Sequence, residues 1–393
     1  MIKTINVKNW MSQEEACESL GVRKQTLYAY VSRGQIEVCR DPAQPSRKLY
    51  RGSDISMLLK KRNMGRTRKN IAASTMSWGE PIINTCISTI VRGRLYYRGN
   101  DAVQLAATAT LEEVARLLWN SAELPHFPAF EPVSICGPVR ARVYASMGIA
   151  AAKAASDRTP IFADMCKEGA ELVGRLASSF VELHTGVGPL HLRIARSWNS
   201  ERHAELLRRA LVLLADQELT SSAFAARITA STGAPLGASV LAGLAALSGP
   251  LHGEAIVRVQ ALLLDAQRSG TATAVRRWMS SSKTLAGFGH ELYPQGDPRA
   301  ADLLAAFQPS DATKALIDYV ERVTGLKPNT DVALAALVEY CQLPEGAAFA
   351  LFAIGRSVGW IAHSVEQIMD GSHLRPRAHY TGPAIAEVNA FDG

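Results

Sequence analysis

The sequence predicts an all-α body preceded by a small basic head of helix-turn-helix type. Three observations carry this. From Thr110 onward the apolar residues recur at three-and-four spacing, the period of helices with one buried face. No alternation of strands and helices is present, and neither G-x-G-x-x-G nor G-x-x-x-x-G-K-[ST] occurs, which argues against a doubly wound sheet. The charge is also unevenly placed. Residues 1–70 hold 15 Lys+Arg and 6 Asp+Glu, a net of +9, while the other 323 residues hold 28 and 30, a net of −2.

The 393 residues are 47% hydrophobic and 20% charged, too apolar for disorder and long enough for two or three domains. Six scattered cysteines show no C-x-x-C or other zinc spacing, which argues for free thiols in a reducing compartment and against a disulfide scaffold. The start, MIKTINVKNW, lacks the basic-then-apolar layout of a signal peptide. The run 236–247 is too short to span a bilayer, and the run 347–365 carries Arg356 at its centre. Both are expected as buried core helices of a cytoplasmic protein, with no membrane partner.

The head is read element by element. Ser12-Gln13-Glu14-Glu15 is a capping box, so a helix begins at about Ser12, with Ala16 and Leu20 on its inner face. Gly21-Val22 makes a tight turn. A second helix runs over about 23–33, buries Leu27 and Val31, and ends at Gly34. Residues 36–38 and 47–50 pair as a wing around the loop DPAQPS, and Ser53-Asp54 caps a third helix to about Lys61. This order resembles the winged helix-turn-helix modules of MerR and excisionase type, which place the second helix in the major groove. Here that helix offers Arg23, Lys24, Gln25, Thr26, Tyr28 and Tyr30, a set suited to phosphate and base-edge contacts. The domain expected is 1–62, followed by a linker over 63–80 and a body over 81–393.

In the body, Thr110-Leu111-Glu112-Glu113 caps a first helix. Further helices fit 140–156, 164–184, 203–216, 222–231, 238–247, 255–268, 299–307, 314–324, 332–340 and 346–369. Residues 82–90 and 94–97 suggest one hairpin, turning at Arg92-Gly93.

The unusual residues lie in turns between apolar helices. Gly249-Pro250-Leu251-His252-Gly253 sets a histidine between glycines, a turn that lets a ligand approach the backbone. Gly287-Phe288-Gly289-His290 repeats the device, followed by Gly296-Asp297-Pro298-Arg299. Pro328-Asn329-Thr330-Asp331 puts an acid at a helix start, where Asp is also a common N-cap. Arg356 stands in an apolar run, and Arg375 and Arg377 lie in LRPRAHY. Two histidines, one acid and several arginines, without metal-ligand spacing, suit a small polycarboxylate and proton abstraction beside a carbonyl.

Together these motifs resemble the citrate synthases. The resemblance runs from about Trp78 to Tyr380 and includes Gly93 to Gly99, Ala215 to Leu219, Gly249 to Gly253, Gly287 to His290, Gly296 to Ala300, Pro328 to Asp331, Gly355 to His363 and Arg375-Pro376-Arg377. Some bacterial members of that family also carry an N-terminal helix-turn-helix.

The resemblance implies a helical homodimer whose subunits have a large domain (about 81–252 and 367–393) and a small one (about 253–366). It implies condensation of acetyl-CoA, or another acyl-CoA, with oxaloacetate, then thioester hydrolysis, with no metal or other cofactor. By the same resemblance Asp331 is the base, His252 bonds the enol oxygen and His290 polarises the ketone. Arg299, Arg356 and Arg375 bind carboxylates, Arg375 across the dimer.

Three departures stand out. The family's A-D-H-E reads Ala215-Asp216-Gln217-Glu218 here, so Gln217 takes the place of a substrate-binding histidine. Glu291 follows His290 where a base is usual, and Glu254 and Ile256 alter G-P-L-H-G-G-A-N. They keep a second reading open: a DNA-binding regulator whose synthase-like body senses a 2-oxo acid or acyl-CoA.

Overall fold

The computed structural model describes residues 10–32, 35–41, 44, 47–63, 83–152, 161–183, 187–281, 285–376, 378 and 382. Gly34, Arg377, most of the expected linker and the helix ends expected at 156 and 184 lie outside them. The chain divides into a unit that holds the N-terminal residues to Asn84 and a larger unit over Thr85–Pro376.

The first unit runs β1 (Trp10–Met11), α1 (Gln13–Leu20), α2 (Lys24–Ser32), β2 (Val38–Arg40), β3 (Lys48–Arg51) and α3 (Gly52–Asn63). The capping box forms as expected: Ser12 Oγ accepts from the Glu15 N–H, and Glu15 returns the bond to the Ser12 N–H. Gly21 closes α1 in the left-handed conformation. Ala16, Leu20, Leu27, Ile36, Tyr50 and Ile55 make the core, with Val31 half-buried against it.

Two expectations for this unit need correcting. The wing is shifted along the chain, pairing Val38 with Tyr50 and Arg40 with Lys48, because Ile36 is spent in the core. Ser53 and Asp54 lie inside α3 rather than capping it; Asp54 accepts from the Glu37 N–H at 2.9 Å and so tethers the wing. A strand at Trp10–Met11, pairing with β3, was not anticipated.

The larger unit opens with a small antiparallel sheet, β4 (Ser88–Val91), β5 (Arg94–Tyr97) and β6 (Asn100–Asp101). Helices follow: α4 (Ala102–Thr108), α5 (Leu111–Trp119), α6 (Val139–Ala151), α7 (Phe162–Val181), α8 (Leu190–Ser197), α9 (Ala204–Leu214), α10 (Ser221–Ser231), α11 (Leu236–Leu247), α12 (Ala255–Ser269), α13 (Thr271–Ser281), α14 (Pro298–Ala305), α15 (Asp311–Thr324), α16 (Thr330–Cys341) and α17 (Ala347–Asp370). The Thr110–Glu113 capping box starts α5, as the sequence requires. Of these helices, α4, α8 and α13 were not anticipated.

The unit has two apolar cores. The larger gathers α5, α7, α9, α11 and α17 around Trp119 and Trp360. The second gathers Val259, Leu262, Val275, Phe288, Leu316, Val320 and Val332. Within the expected small-domain span 253–366, α14 and α17 pack on the first core, and α16 is shared, with Leu334 and Leu337 on the first core and Val332 and Ala335 on the second.

Helix α17 is long and apolar enough to cross a membrane, yet every residue from Ala347 to Val365 is buried in the protein. Gly359 permits its close approach to the end of α9. A Cβ there would come within 2.5 Å of the Ala215 carbonyl, whereas the Gly359 N–H instead donates to that oxygen at 3.0 Å. This contact sets Arg356 and His363, on the same helix, against residues 214–216.

Candidate active site

The segment after α9, the turn before α12, the loop 285–297, the start of α16 and the middle of α17 carry the candidate site residues. Two of these are joined through the backbone. The Asn329 N–H donates to the Gly287 carbonyl at 2.8 Å, and the Gly289 N–H donates to the Lys327 carbonyl at 2.8 Å. Gly287 has φ +84°, and a Cβ there would stand 2.6 Å from methyls of Val259 and Val332. The glycine thus lets His290 and Asp331 be carried on one rigid pair of loops.

Asn329, not Asp331, caps α16: its side-chain oxygen accepts from the Asp331 N–H at 2.9 Å. The Asp331 carboxylate is released from capping and makes no hydrogen bond among the described residues. Burial pushes it up to about 7; the Arg299 charge opposes this and the Asp297 charge adds to it. A carboxyl held near neutrality is suited to take up and return a proton.

His290 is neutral, lowered to about 4 by burial and then by the Arg299 charge. Its Nδ1 accepts from the Leu292 N–H at 3.1 Å, so the neutral ring keeps its proton on Nε2. That nitrogen faces the Gln217 amide nitrogen at 3.0 Å. The amide is turned this way because its oxygen accepts from Arg299 NH1 at 2.7 Å.

Arg299 is oriented by a carboxylate of the chain itself. Its Nε and NH2 donate to the two oxygens of Asp297 at 3.0 and 2.7 Å, and Thr330 Oγ1 donates to Asp297 at 2.7 Å. Burial raises the Asp297 carboxyl, but Arg299 overrides it and holds it at about 2. With NH1 on Gln217, every donor nitrogen of Arg299 is engaged.

Arg356 is the opposite case. It is fully buried; Nε donates to the Leu214 carbonyl at 2.8 Å, while NH1 and NH2 have no partner. Burial pushes the guanidinium down to about 10, with Asp216 pulling it back up. A buried cation with two unused donors is a site waiting for an anion. The charge also helps hold His252 neutral: burial first, then Arg356, lower that ring to about 4. His252 packs edge-on against Phe352, over whose ring Arg356 lies at 5.0 Å. Its Nε2 is 2.8 Å from Ser222 Oγ. A hydroxyl donating there leaves the imidazole proton on Nδ1, free for a ligand oxygen.

A buried carboxylate–imidazole contact lies behind these residues. Asp216 Oδ1 is 3.4 Å from His363 Nε2, and His363 Nδ1 is 3.2 Å from Arg227 NH1, which can only donate. The His363 proton therefore points at Asp216. Burial raises the Asp216 carboxyl, but His363 and then Arg356 outweigh it and hold it below the usual range. Ser222 and Tyr293 were not singled out by the sequence, and Asp297, Asp216 and His363 stood in its motifs without a role.

Gln217, His290, Arg299, Asp331, His252 and Arg356 are thus linked by bonds, ring contacts or acting charges. Arg375 is exposed and makes no contact with them. Arg23, Lys24, Gln25, Thr26 and Tyr28 are all exposed in the first unit, around the buried Leu27.

Residues 142–377 match the sequence model of the family described as "Citrate synthase, C-terminal domain". The chain is similar to "Putative citrate synthase 2" of Mycobacterium tuberculosis, 34% identical over 217 residues, which are 51% of this chain and 58% of that protein's length. It is similar to "Citrate synthase 2" of Bacillus subtilis, 27% identical over 345 residues, covering 76% of this chain and 92% of the other. Among solved structures, the citrate synthase of Thermotoga maritima superposes with a TM-score of 0.63 at 26% identity, covering 79% of this chain and 96% of that one. With its helical fold, its ordered motifs and a family match across most of the body, the chain belongs to the citrate synthase family.

Proposed function

We propose that the protein condenses an acyl-CoA with oxaloacetate and hydrolyses the resulting thioester. The observation that carries this reading is the buried Arg356 guanidinium, two of whose nitrogens lack partners, among two neutral imidazoles and a protonatable acid. Asp331, as carboxylate, removes a proton from the carbon beside the thioester carbonyl. His252 donates a hydrogen bond to the enol oxygen that forms. The enol carbon attacks the ketone of oxaloacetate, while His290 Nε2–H bonds the ketone oxygen as negative charge builds there. Arg356 holds a carboxylate through its free nitrogens. Water then cleaves the thioester and releases the CoA thiol. Arg375 would act across a homodimer, and its exposure in the single chain accords with that.

The test is thiol release with oxaloacetate against a panel of acyl-CoAs. Release with at least one of them is expected; none across the panel rejects the reading. Gln217 sets a second expectation. Gln217→His restores a side chain able to carry charge, and should lower the apparent KM for oxaloacetate severalfold with turnover equal or higher. A rise in KM would mean that the pocket is shaped for a different acid.

We further propose that the first unit contacts duplex DNA, because the five candidate residues are all exposed on and beside α2 within a segment of net charge +9. Binding followed by fluorescence anisotropy should fall with salt at a log–log slope of about −0.9 per phosphate neutralised. Replacing Arg23 or Lys24 by Ala should weaken it. DNA affinity that shifts severalfold with oxaloacetate or acyl-CoA would make the body a sensor, by reciprocal linkage. Affinity indifferent to both would leave the head an accessory of an enzyme.

A further inference from the structure

The inference concerns Glu254 and rests on the reading of His252 as the donor to the enol oxygen. His252 stands in the turn 249–253, at whose tip Leu251 is 93% exposed, so apolar packing does little to hold it. The backbone bonds of the turn are local. The His252 N–H donates to the Gly249 carbonyl at 2.9 Å, and the Ala255 N–H donates to the His252 carbonyl at 3.0 Å. The histidine's backbone is thereby fixed to the first residue of α12. Among the described residues, two side-chain hydrogen bonds tie this stretch to other elements: His252 to Ser222 on α10, and Glu254 to Arg140 on α6.

Glu254 occupies the N-cap position of α12, yet its side chain makes no capping bond. A carboxylate at a helix start is ordinarily drawn to the free N–H groups there. This one is paired with Arg140 instead. Arg140 is itself held: its guanidinium lies over the Phe349 ring, 5.1 Å from the centroid, and Phe349 meets Phe180 edge-on at 6.0 Å. Phe349 precedes by three residues Phe352, the ring that His252 meets edge-on at 5.9 Å. Positions three apart share one face of a helix, so Arg140 and His252 lean on the same face of α17. Helix α12 then places Ile256 on the first core and Val259, Leu262 and Leu263 on the second. The ion pair thus grips the chain where it leaves one core for the other, two residues after His252.

Both partners are partly exposed, and pairs of that kind add little to stability. Catalysis is far more sensitive to position, because a displacement of about 1 Å can cost about a hundredfold in rate. We propose that Glu254 is a positioning residue: paired with Arg140 against α17, it holds the start of α12 so that the His252 imidazole meets the enol oxygen.

The experiment measures thiol release with oxaloacetate and an acyl-CoA for the full-length protein, for Glu254→Gln, Arg140→Gln and His252→Ala, and for Glu254→Gln combined with His252→Ala, with thermal melting of each. Glu254→Gln should lower kcat about ten- to a hundredfold, and Arg140→Gln, which removes the same pair from its other side, should do the same. The KM for oxaloacetate should be unchanged in both, because Arg356, Gln217 and His290 lie on other elements. Each should melt within about 2–4 °C of the parent. Because Glu254 acts through His252, adding Glu254→Gln to His252→Ala should cost nothing further. An unchanged kcat in either single variant, or a further loss on the His252→Ala background, would overturn the proposal. Melting of both Gln variants far below the parent would make the pair structural and overturn it as well. Absence of thiol release from the parent itself would reject the reading of the site as a synthase, and the proposal with it.

Discussion

Asp331→Asn should lower turnover by about 10²–10⁴, the usual effect of removing a positioned acid or base. The amide is nearly isosteric and keeps the Asn329 cap, which uses only the backbone N–H of residue 331. It cannot accept the substrate proton. The pH dependence gives a second signature. The carboxyl titrates at about 7, so it acts as a base only above that value. The parent's activity should therefore rise with pH through about 7, and the residual activity of Asp331→Asn should be flat over that limb. Stability moves the other way. A carboxyl that binds its proton more tightly folded than unfolded contributes stability below its unfolded value of about 3.9. That contribution is lost as pH rises through about 7, where the burial of an unpaired charge takes over. Asp331→Asn should thus melt above the parent at about pH 8 and close to it at about pH 4. Undiminished thiol release in the variant would remove Asp331 from the chemistry.

What the sequence revealed and concealed follows from the range of the interactions concerned. The capping boxes at Ser12–Glu15 and Thr110–Glu113 are complete within four residues, so their helices start where expected. Helices with a sustained apolar face, such as α7, α11 and α17, were equally legible. Helix α13, TATAVRRWMSS, is rich in β-branched and polar residues, and only Ala274 and Val275 are buried. Its helicity comes from packing on the second core, a tertiary fact. The wing was displaced for a related reason: Ile36 reads as strand by residue type but is claimed by the core.

The site divides along the same line. His252, His290 and Asp331 could be singled out because glycine- and proline-rich turns between apolar helices offer no packing role for them. Ser222 was hidden because a serine in the first turn of a helix has an ordinary local explanation. That Arg299 is closed off by Asp297 while Arg356 is open depends on which carboxylate folds against which guanidinium. Both arginines look alike in the chain. The Asp216–His363 pair joins positions separated by most of the body, and no local pattern announces it.

Arg356→Met carries the second large expectation, with binding and stability moving in opposite directions. The methionine fills much of the arginine's stem volume against Phe352, while the donors at its end are lost. Removing one partner of a desolvated charge pair commonly costs about 2–5 kcal/mol of binding, so oxaloacetate affinity should fall about 30- to 5,000-fold. The free protein should gain. Its guanidinium is pushed down to about 10 by burial, and its two end nitrogens have no partner. A cation whose folded pKa lies below its unfolded one costs stability at every pH where it stays charged, including neutrality. Replacing such a group by an apolar side chain is commonly neutral or stabilising. The ligand should reverse the order. Oxaloacetate at about 100 times its Kd stabilises the parent by about 2.7 kcal/mol, a contribution much reduced in the variant at the same concentration. Thermal melting with and without oxaloacetate reads both terms in one experiment. A variant that melts higher than the parent alone but lower in the presence of ligand is expected. Equal ligand-induced shifts in both proteins would show that Arg356 is structural and that the carboxylates are held elsewhere.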